Sequence, residues 1–257
     1  MATYKRRGYK PKSKKETEEV VEEQSTTAEV FSTLDESANK TEAFIAKNQN
    51  YILGFVGLVA LAVLGYLGYQ NFIQEPKELE AANEMAQSQD YFGNALEAAA
   101  TEKDSLFNLA LNGGEGKFGF LDITEEYSGT KAANLAHYYA GMSFLNTAKY
   151  QEAIDQLDQF QGDDQILGPL AQGAIGDAFM QLDQPEQALE YYIAALEMRS
   201  NEFTTPRYLL KAAITALDLK KADQALNYLE RLEKEYPNAD ETRQSAVYLG
   251  MAQAMNK

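Results

Sequence analysis

Tyr51 to Tyr69 reads YILGFVGLVALAVLGYLGY, a run without a charged or amide side chain, and no other feature constrains the chain as tightly. At ~1.5 Å rise per residue, a helix of that length crosses roughly the ~30 Å hydrocarbon layer of a bilayer. The charge-free stretch runs on from Asn48 to Gln74, with Tyr51, Tyr66 and Tyr69 near its ends, where aromatic side chains favour the membrane interface. A core helix of a soluble protein is seldom apolar on every side over such a length. A cleavable signal peptide has a shorter apolar region and a small-x-small cleavage site. Here the segment follows a long polar stretch and is succeeded by Gln70-Asn71-Phe72-Ile73, so an uncleaved signal anchor is expected.

Charge then divides the 257 residues into three parts. Residues 1–50 carry nine basic and nine acidic side chains, residues 51–74 none, and residues 75–257 carry 14 basic and 30 acidic ones. The last part therefore supplies the whole net charge of −16. Lys5, Arg6, Arg7, Lys10, Lys12, Lys14 and Lys15 form a basic head before the apolar segment, whereas only Lys77 follows it before Lys103. The positive-inside bias puts the N-terminus in the cytoplasm and the acidic body across the membrane. Residues 1–44 are rich in Glu, Thr and Ser, so a disordered tail, or at most a transient helix, is expected. The apolar helix spans 45–74. On it Gly54, Gly57, Gly65 and Gly68, with Leu61 between them, fall within an arc of about 80° at 100° per residue, a face on which another helix could dock.

The acidic body repeats itself. Gly141 recurs as Gly176, Phe144 as Phe179 and Ala153 as Ala188, all at an interval of 35, and Ala213, Ala216 and Ala225 follow after a further 37. Ala, Leu, Glu and Gln dominate, apolar residues recur at three and four, and strand signals are nearly missing. Residues 134–257 thus resemble the tetratricopeptide repeat, a helix–turn–helix unit of about 34 residues. The small residues let paired helices approach closely, and Pro237 stands where that motif often closes. Departures from the motif are His137, Gln172 and Leu209 at its first-helix aromatic position, and linkers one to three residues longer than its norm. Residues 75–133 read as a helical leading region. It comprises a helix from about Lys77 to Asn112 opened by Pro76, a break at Asn112–Gly119, a shorter helix, and a degenerate repeat over 106–133. The final helix, about 240–256, reads as a terminal cap.

The fold class expected is all-α, with one transmembrane helix followed by a tetratricopeptide α-solenoid. Repeat phasing places Leu135, Tyr138, Met142, Leu145, Leu170, Asp177, Met180, Arg207, Leu210, Ile214, Leu217, Val247 and Met251 on a concave, largely apolar wall suited to an apolar helix or unfolded segment.

Catalytic chemistry finds little footing. No cysteine is present and His137 is the one histidine, so thiolate and multi-histidine metal sites are excluded. Gly114, Gly116 and Gly119 spell a literal GxGxxG, yet a helix precedes it where a dinucleotide fold needs a strand, so a flexible loop is expected. His137 stands at a packing position, and Asp163-Asp164 and Glu125-Glu126 fall at helix ends or faces with no substrate motif around them. No enzyme and no cofactor is expected, and the acidity argues against nucleic acid as main partner.

Anchor, tail and repeats together, with the segments DSLFNLALNG (104–113) and GFLDITEEY (119–127), resemble the YfgM-like family of bacterial inner-membrane proteins. That resemblance implies an ancillary, non-enzymatic subunit of the Sec translocon, with a PpiD-type periplasmic chaperone, Sec subunits and exported polypeptides as partners. It also implies single-pass insertion in the inner membrane with the C-terminal body periplasmic. Two alternatives stand: a periplasmic scaffold for another envelope or secretion machine, and a regulator acting through its cytoplasmic tail.

Overall fold

The computed structural model describes residues 14–256 of the backbone, and the side chains from Asn39 onward together with Thr33. The described residues are helical with no strand, and they divide into two compact units, one ending at Tyr69 and the other beginning at Gln70.

The first unit is helix α1, Lys14–Tyr69. It is helical from Lys14, where the composition suggests disorder; Lys, Glu and Gln are good helix formers, and a helix once nucleated at the apolar segment propagates at little cost per residue. Positions 1–13 of the expected tail, and the side chains of its basic head from Lys5 to Lys15, lie outside the described residues. From Asn39 on, one helix is long and apolar enough to cross a membrane, and none of its most apolar window, mean hydropathy 2.1, is buried.

The second unit opens on a π-helical turn, Gln70–Gln74, followed by α2, Glu75–Glu97, with a proline in its first turn. The helix expected to reach Asn112 stops at Ala98, and α3, Ala100–Asn112, packs back against α2. Nothing local forces this break, since Ala98-Ala99-Ala100 are helix formers. Reversal lets Ala81, Met85 and Ala95 of α2 and Phe107, Ala110 and Leu111 of α3 be buried together, and tertiary burial overrides propensity. Helix α4 is Phe120–Glu126. Between α3 and α4 the glycine loop is close-packed at its ends. Gly113 has φ +79° and a Cβ on it would collide with the Lys117 carbonyl, while Ser88 Oγ donates to Phe118 O at 2.7 Å.

Three helical hairpins follow: α5 (Lys131–Asn146) with α6 (Tyr150–Gln159), α7 (Leu167–Gln181) with α8 (Pro185–Met198), and α9 (Thr204–Asp218) with α10 (Ala222–Glu235). A last helix, α11, is Asp240–Met255. The hairpin turns are copies of one another. Ala148, Asp183 and Lys220 adopt left-handed φ of 57°, 59° and 60°. The next amide in each case bonds back across the helix end, Lys149 N to Phe144 O at 2.9 Å, Gln184 N to Phe179 O at 2.9 Å, and Lys221 N to Ala216 O at 2.8 Å. This is the Schellman arrangement with a side chain where glycine is usual. Each turn is three residues, so the surplus length seen in the sequence lies in the loops between hairpins.

Close packing is also copied. A Cβ on Gly141 would meet Leu157 and the Ala153 carbonyl; one on Gly176 would meet Tyr192 and the Ala188 carbonyl. Tyr127 and Tyr236 both end a helix, and their carbonyls accept from Thr130 N and Ala239 N, each at 3.1 Å. Tyr127 thus precedes α5 through the same turn by which Tyr236 precedes α11.

Candidate functional site

Helices α5 to α9 line a cleft of about 460 Å³ bounded by Leu145, Tyr150, Asp177, Met180, Gln181, Tyr192 and Lys211. Asp177 is the one charge in α7, and it is half-buried. Its carboxylate accepts from Tyr192 Oη at 2.6 Å and from Lys211 Nζ, with the longer ammonium contact at 2.7 Å. The ammonium also lies 5.6 Å from the centre of the Tyr192 ring. Burial, reinforced by the charge and hydrogen bond of Asp177, pushes the Tyr192 phenol well above its ordinary range, so it remains a donor at any physiological pH. Burial followed by Asp177 raises Tyr208 likewise, with Arg207 opposing.

These groups fix one another in a lining that is mostly polar, with Leu145 and Met180 beside them. Leu145 and Met180 offer hydrocarbon and sulfur, while Tyr150 Oη donates to Gln181 Oε1 at 3.3 Å on the rim. Thr215 Oγ1 donates to Lys211 O of its own helix at 2.9 Å and lies 3.8 Å from Met180 Sδ.

The residues expected on this wall divide into three groups. Leu145 and Met180 line the cleft, and Leu135, Met142, Leu170, Arg207 and Ile214 are half-buried on the same helices. Tyr138, Leu210 and Leu217 are buried at 8%, 7% and 4% exposure; they pack one helix on the next and present nothing to a ligand. Val247 and Met251 on α11 are 69% and 48% exposed and stand apart from the cleft. Lys211 escaped the sequence reading. Its signal is spacing: it follows Asp177 at an interval of 34, just short of the repeat, which sets a lysine against a lone aspartate on the neighbouring first helix.

A second cleft of about 660 Å³ includes Lys131, Asn134, His137, Asp158 and Asp163. His137 is half-buried and its Nδ1 lies 2.8 Å from Gln156 Oε1. Asn134 clamps the backbone of Gln161 from both sides, at 3.0 and 2.8 Å. Asp164 caps α7 by accepting from Ile166 N at 2.7 Å and from Leu167 N, so it is committed to structure, and Glu125 and Glu126 are exposed on α4. Among the described residues no cluster of His, Asp or Glu could hold a metal ion. In the first unit, Gly54, Gly57, Leu61 and Gly65 are exposed and Gly68 is partly so, with nothing within 4 Å of where a Cβ would stand on any of the four glycines.

No family model and no curated protein matches the chain. Among solved structures, it is similar to two crystal structures of the nearly identical TPR-like repeats of a putative kinesin light chain from Podosopora anserina. The first, a single-residue variant, is 14% identical at TM-score 0.49 over 72% of this chain and 89% of that one. The other is 13% identical at TM-score 0.49 over 70% and 88%.

Proposed function

We propose that the protein is a membrane-anchored, non-enzymatic scaffold that binds polypeptide in the cleft between α5, α7 and α9. The observation that carries this reading is the cleft itself, where Leu145 and Met180 stand beside one satisfied ion pair. Repeat helices stacked in this way bind protein segments along their first-helix face.

The finer reading is that of the YfgM-like family. The protein sits in a bacterial inner membrane through Tyr51–Tyr69, with its N-terminus cytoplasmic and its acidic body periplasmic. It serves the Sec translocon as an ancillary subunit, receiving exported chains and holding a PpiD-type chaperone nearby. Support comes from the uncovered apolar helix, from the lysine and arginine asymmetry across it, and from the family-like segments at 104–113 and 119–127. On this reading the stripe Gly54, Gly57, Leu61, Gly65 and Gly68 packs against a partner span, which accounts for so open a face being so rich in glycine. Affinity purification of the tagged full chain from solubilised membranes tests it. Sec channel subunits and a membrane-anchored chaperone are expected to co-purify. Recovery of a different envelope machine in their place would move the role to that machine.

A further inference from the structure

The Asp177–Lys211 pair leaves hydrogen-bonding capacity unused. An ionised carboxylate offers about four acceptor positions, and an ammonium offers three donors. Oδ1 of Asp177 accepts from both Tyr192 Oη and Lys211 Nζ, whereas Oδ2 accepts from Lys211 Nζ alone, at 2.7 Å. Burial and the neighbouring carboxylate keep the Tyr192 phenol protonated, so its bond to Oδ1 is permanent. No other described side chain bonds to the carboxylate or the ammonium. An acceptor position on Oδ2 and an N–H of Lys211 therefore remain, side by side. The two side chains are 36% and 35% exposed, which leaves both positions reachable from the cleft.

The surroundings decide which chemical class completes the pair. A carboxylate would find the lysine N–H but meet the charge of Asp177, in a chain of net charge −16. An ammonium or guanidinium would find Oδ2 but meet Lys211. A hydrocarbon side chain would strip water from both positions and replace none of its bonds. A serine or threonine hydroxyl can bridge the two positions, yet it brings too little hydrocarbon to reach Leu145 and Met180, which line the same cleft. A primary carboxamide presents one acceptor and one donor, fixed side by side in a plane and without net charge.

We infer that the cleft recognises a glutamine side chain of the bound polypeptide. Its carbonyl accepts from Lys211 Nζ, its amide donates to Asp177 Oδ2, and its two methylenes lie against Leu145 and Met180. Asp177 and Lys211 are then specificity-determining residues: together they are neutral and select a neutral polar group, whereas either one alone would select a charge. The inference rests on the reading that this cleft holds polypeptide.

The probes are five heptapeptides, Ala-Ser-Leu-Xaa-Leu-Ser-Ala, with Gln, Leu, Glu, Lys or Ser at Xaa. Acetyl and N-methylamide caps ensure that the only primary carboxamide is the glutamine's own. Each is titrated into the detergent-solubilised full chain carrying 13C-methyl methionine, and the Met180 methyl signal is followed, assigned by its loss in Met180→Leu. Saturable shifts are expected, with the Gln peptide bound about tenfold more tightly than the other four, the worth of two hydrogen bonds. Lys211→Leu should reverse the order, weakening the Gln peptide about tenfold and making the Lys peptide the tightest, because Asp177 then stands without its counter-charge. Unchanged methyl signals of Met85 and Met198, which lie outside the cleft, verify that the variant is folded. Equal binding of the five peptides overturns the inference while leaving polypeptide in the cleft, and so does an order that Lys211→Leu does not change. If none of the five shifts Met180 the inference also falls, and binding of a long unfolded chain then decides separately whether the cleft holds polypeptide at all.

Discussion

The hairpins from α5 to α10 and the leading segment from α2 to α4 bury their cores by different means. In the hairpins one contact is made repeatedly: a glycine or alanine in the first helix, an alanine in the second, and a left-handed turn between them. The leading segment has no such unit. Phe92 meets Phe107, Phe120 and Tyr139 edge-on at 5.5, 6.3 and 5.1 Å, and Phe120 stacks on Tyr139 at 5.1 Å. One carboxylate ties the segment to the repeats: Glu78 of α2 accepts from Lys131 N at 2.6 Å and Ala132 N at 2.8 Å, satisfying free amides at the start of α5. Periodic packing is tolerant along its length, whereas an aromatic cluster concentrates its stabilisation in a few side chains.

That contrast predicts where the body breaks most easily. Phe107→Ala empties a fully buried ring site and is expected to cost about 3–5 kcal/mol, read by chemical denaturation of the body. A loss under about 1 kcal/mol would show that the aromatic cluster is loose. Gly173→Ala is a severe overpacking of the hairpins, since the new methyl would fall within the buried Tyr208 ring, and about 1–3 kcal/mol is expected. If it costs more than Phe107→Ala, the ranking of the two regions is reversed.

The two regions were unequally legible in the sequence for the same reason. A regular interval, 35 and then 37, exposed the hairpins and their close contacts before any coordinates, because each depends on small residues at fixed spacing. The break at Ala98–Ala99 was hidden, since an alanine run favours helix and only distant burial ends it. The turn residues were hidden too: Ala148, Asp183 and Lys220 are chemically unrelated and share a backbone conformation, not a side-chain type. Of the wall read from register, Leu145 and Met180 line the Asp177 cleft. Tyr138, Leu210 and Leu217 share that register, but the next helix lies over them, which spacing alone does not reveal.

Smaller changes sharpen the comparison. Glu78→Gln keeps the shape of the clamp but removes the charge that favours the start of α5, and about 1 kcal/mol is expected, reduced at high salt. A salt-independent loss would mean that shape rather than charge is at work. Ala148→Gly relieves a left-handed residue in an exposed turn and should stabilise the body by up to about 1 kcal/mol, seen as a rise in Tm. The same change at Lys220 should behave alike, since the turns are copies; opposite signs at the two positions would show that they are not.

We propose that polypeptide binds in the cleft around Asp177, and one measurement addresses it directly: affinity of the solubilised full chain for a permanently unfolded, carboxymethylated polypeptide, compared between the wild type and Met180→Ser with Lys211→Ala. Met180 and Lys211 are half-buried on the cleft, so their loss should leave folding cooperative with Tm lowered by only a few degrees. Binding weakened at least tenfold in that folded variant is the predicted result. Binding at wild-type strength would contradict the assignment of this cleft as the place where the protein holds its polypeptide.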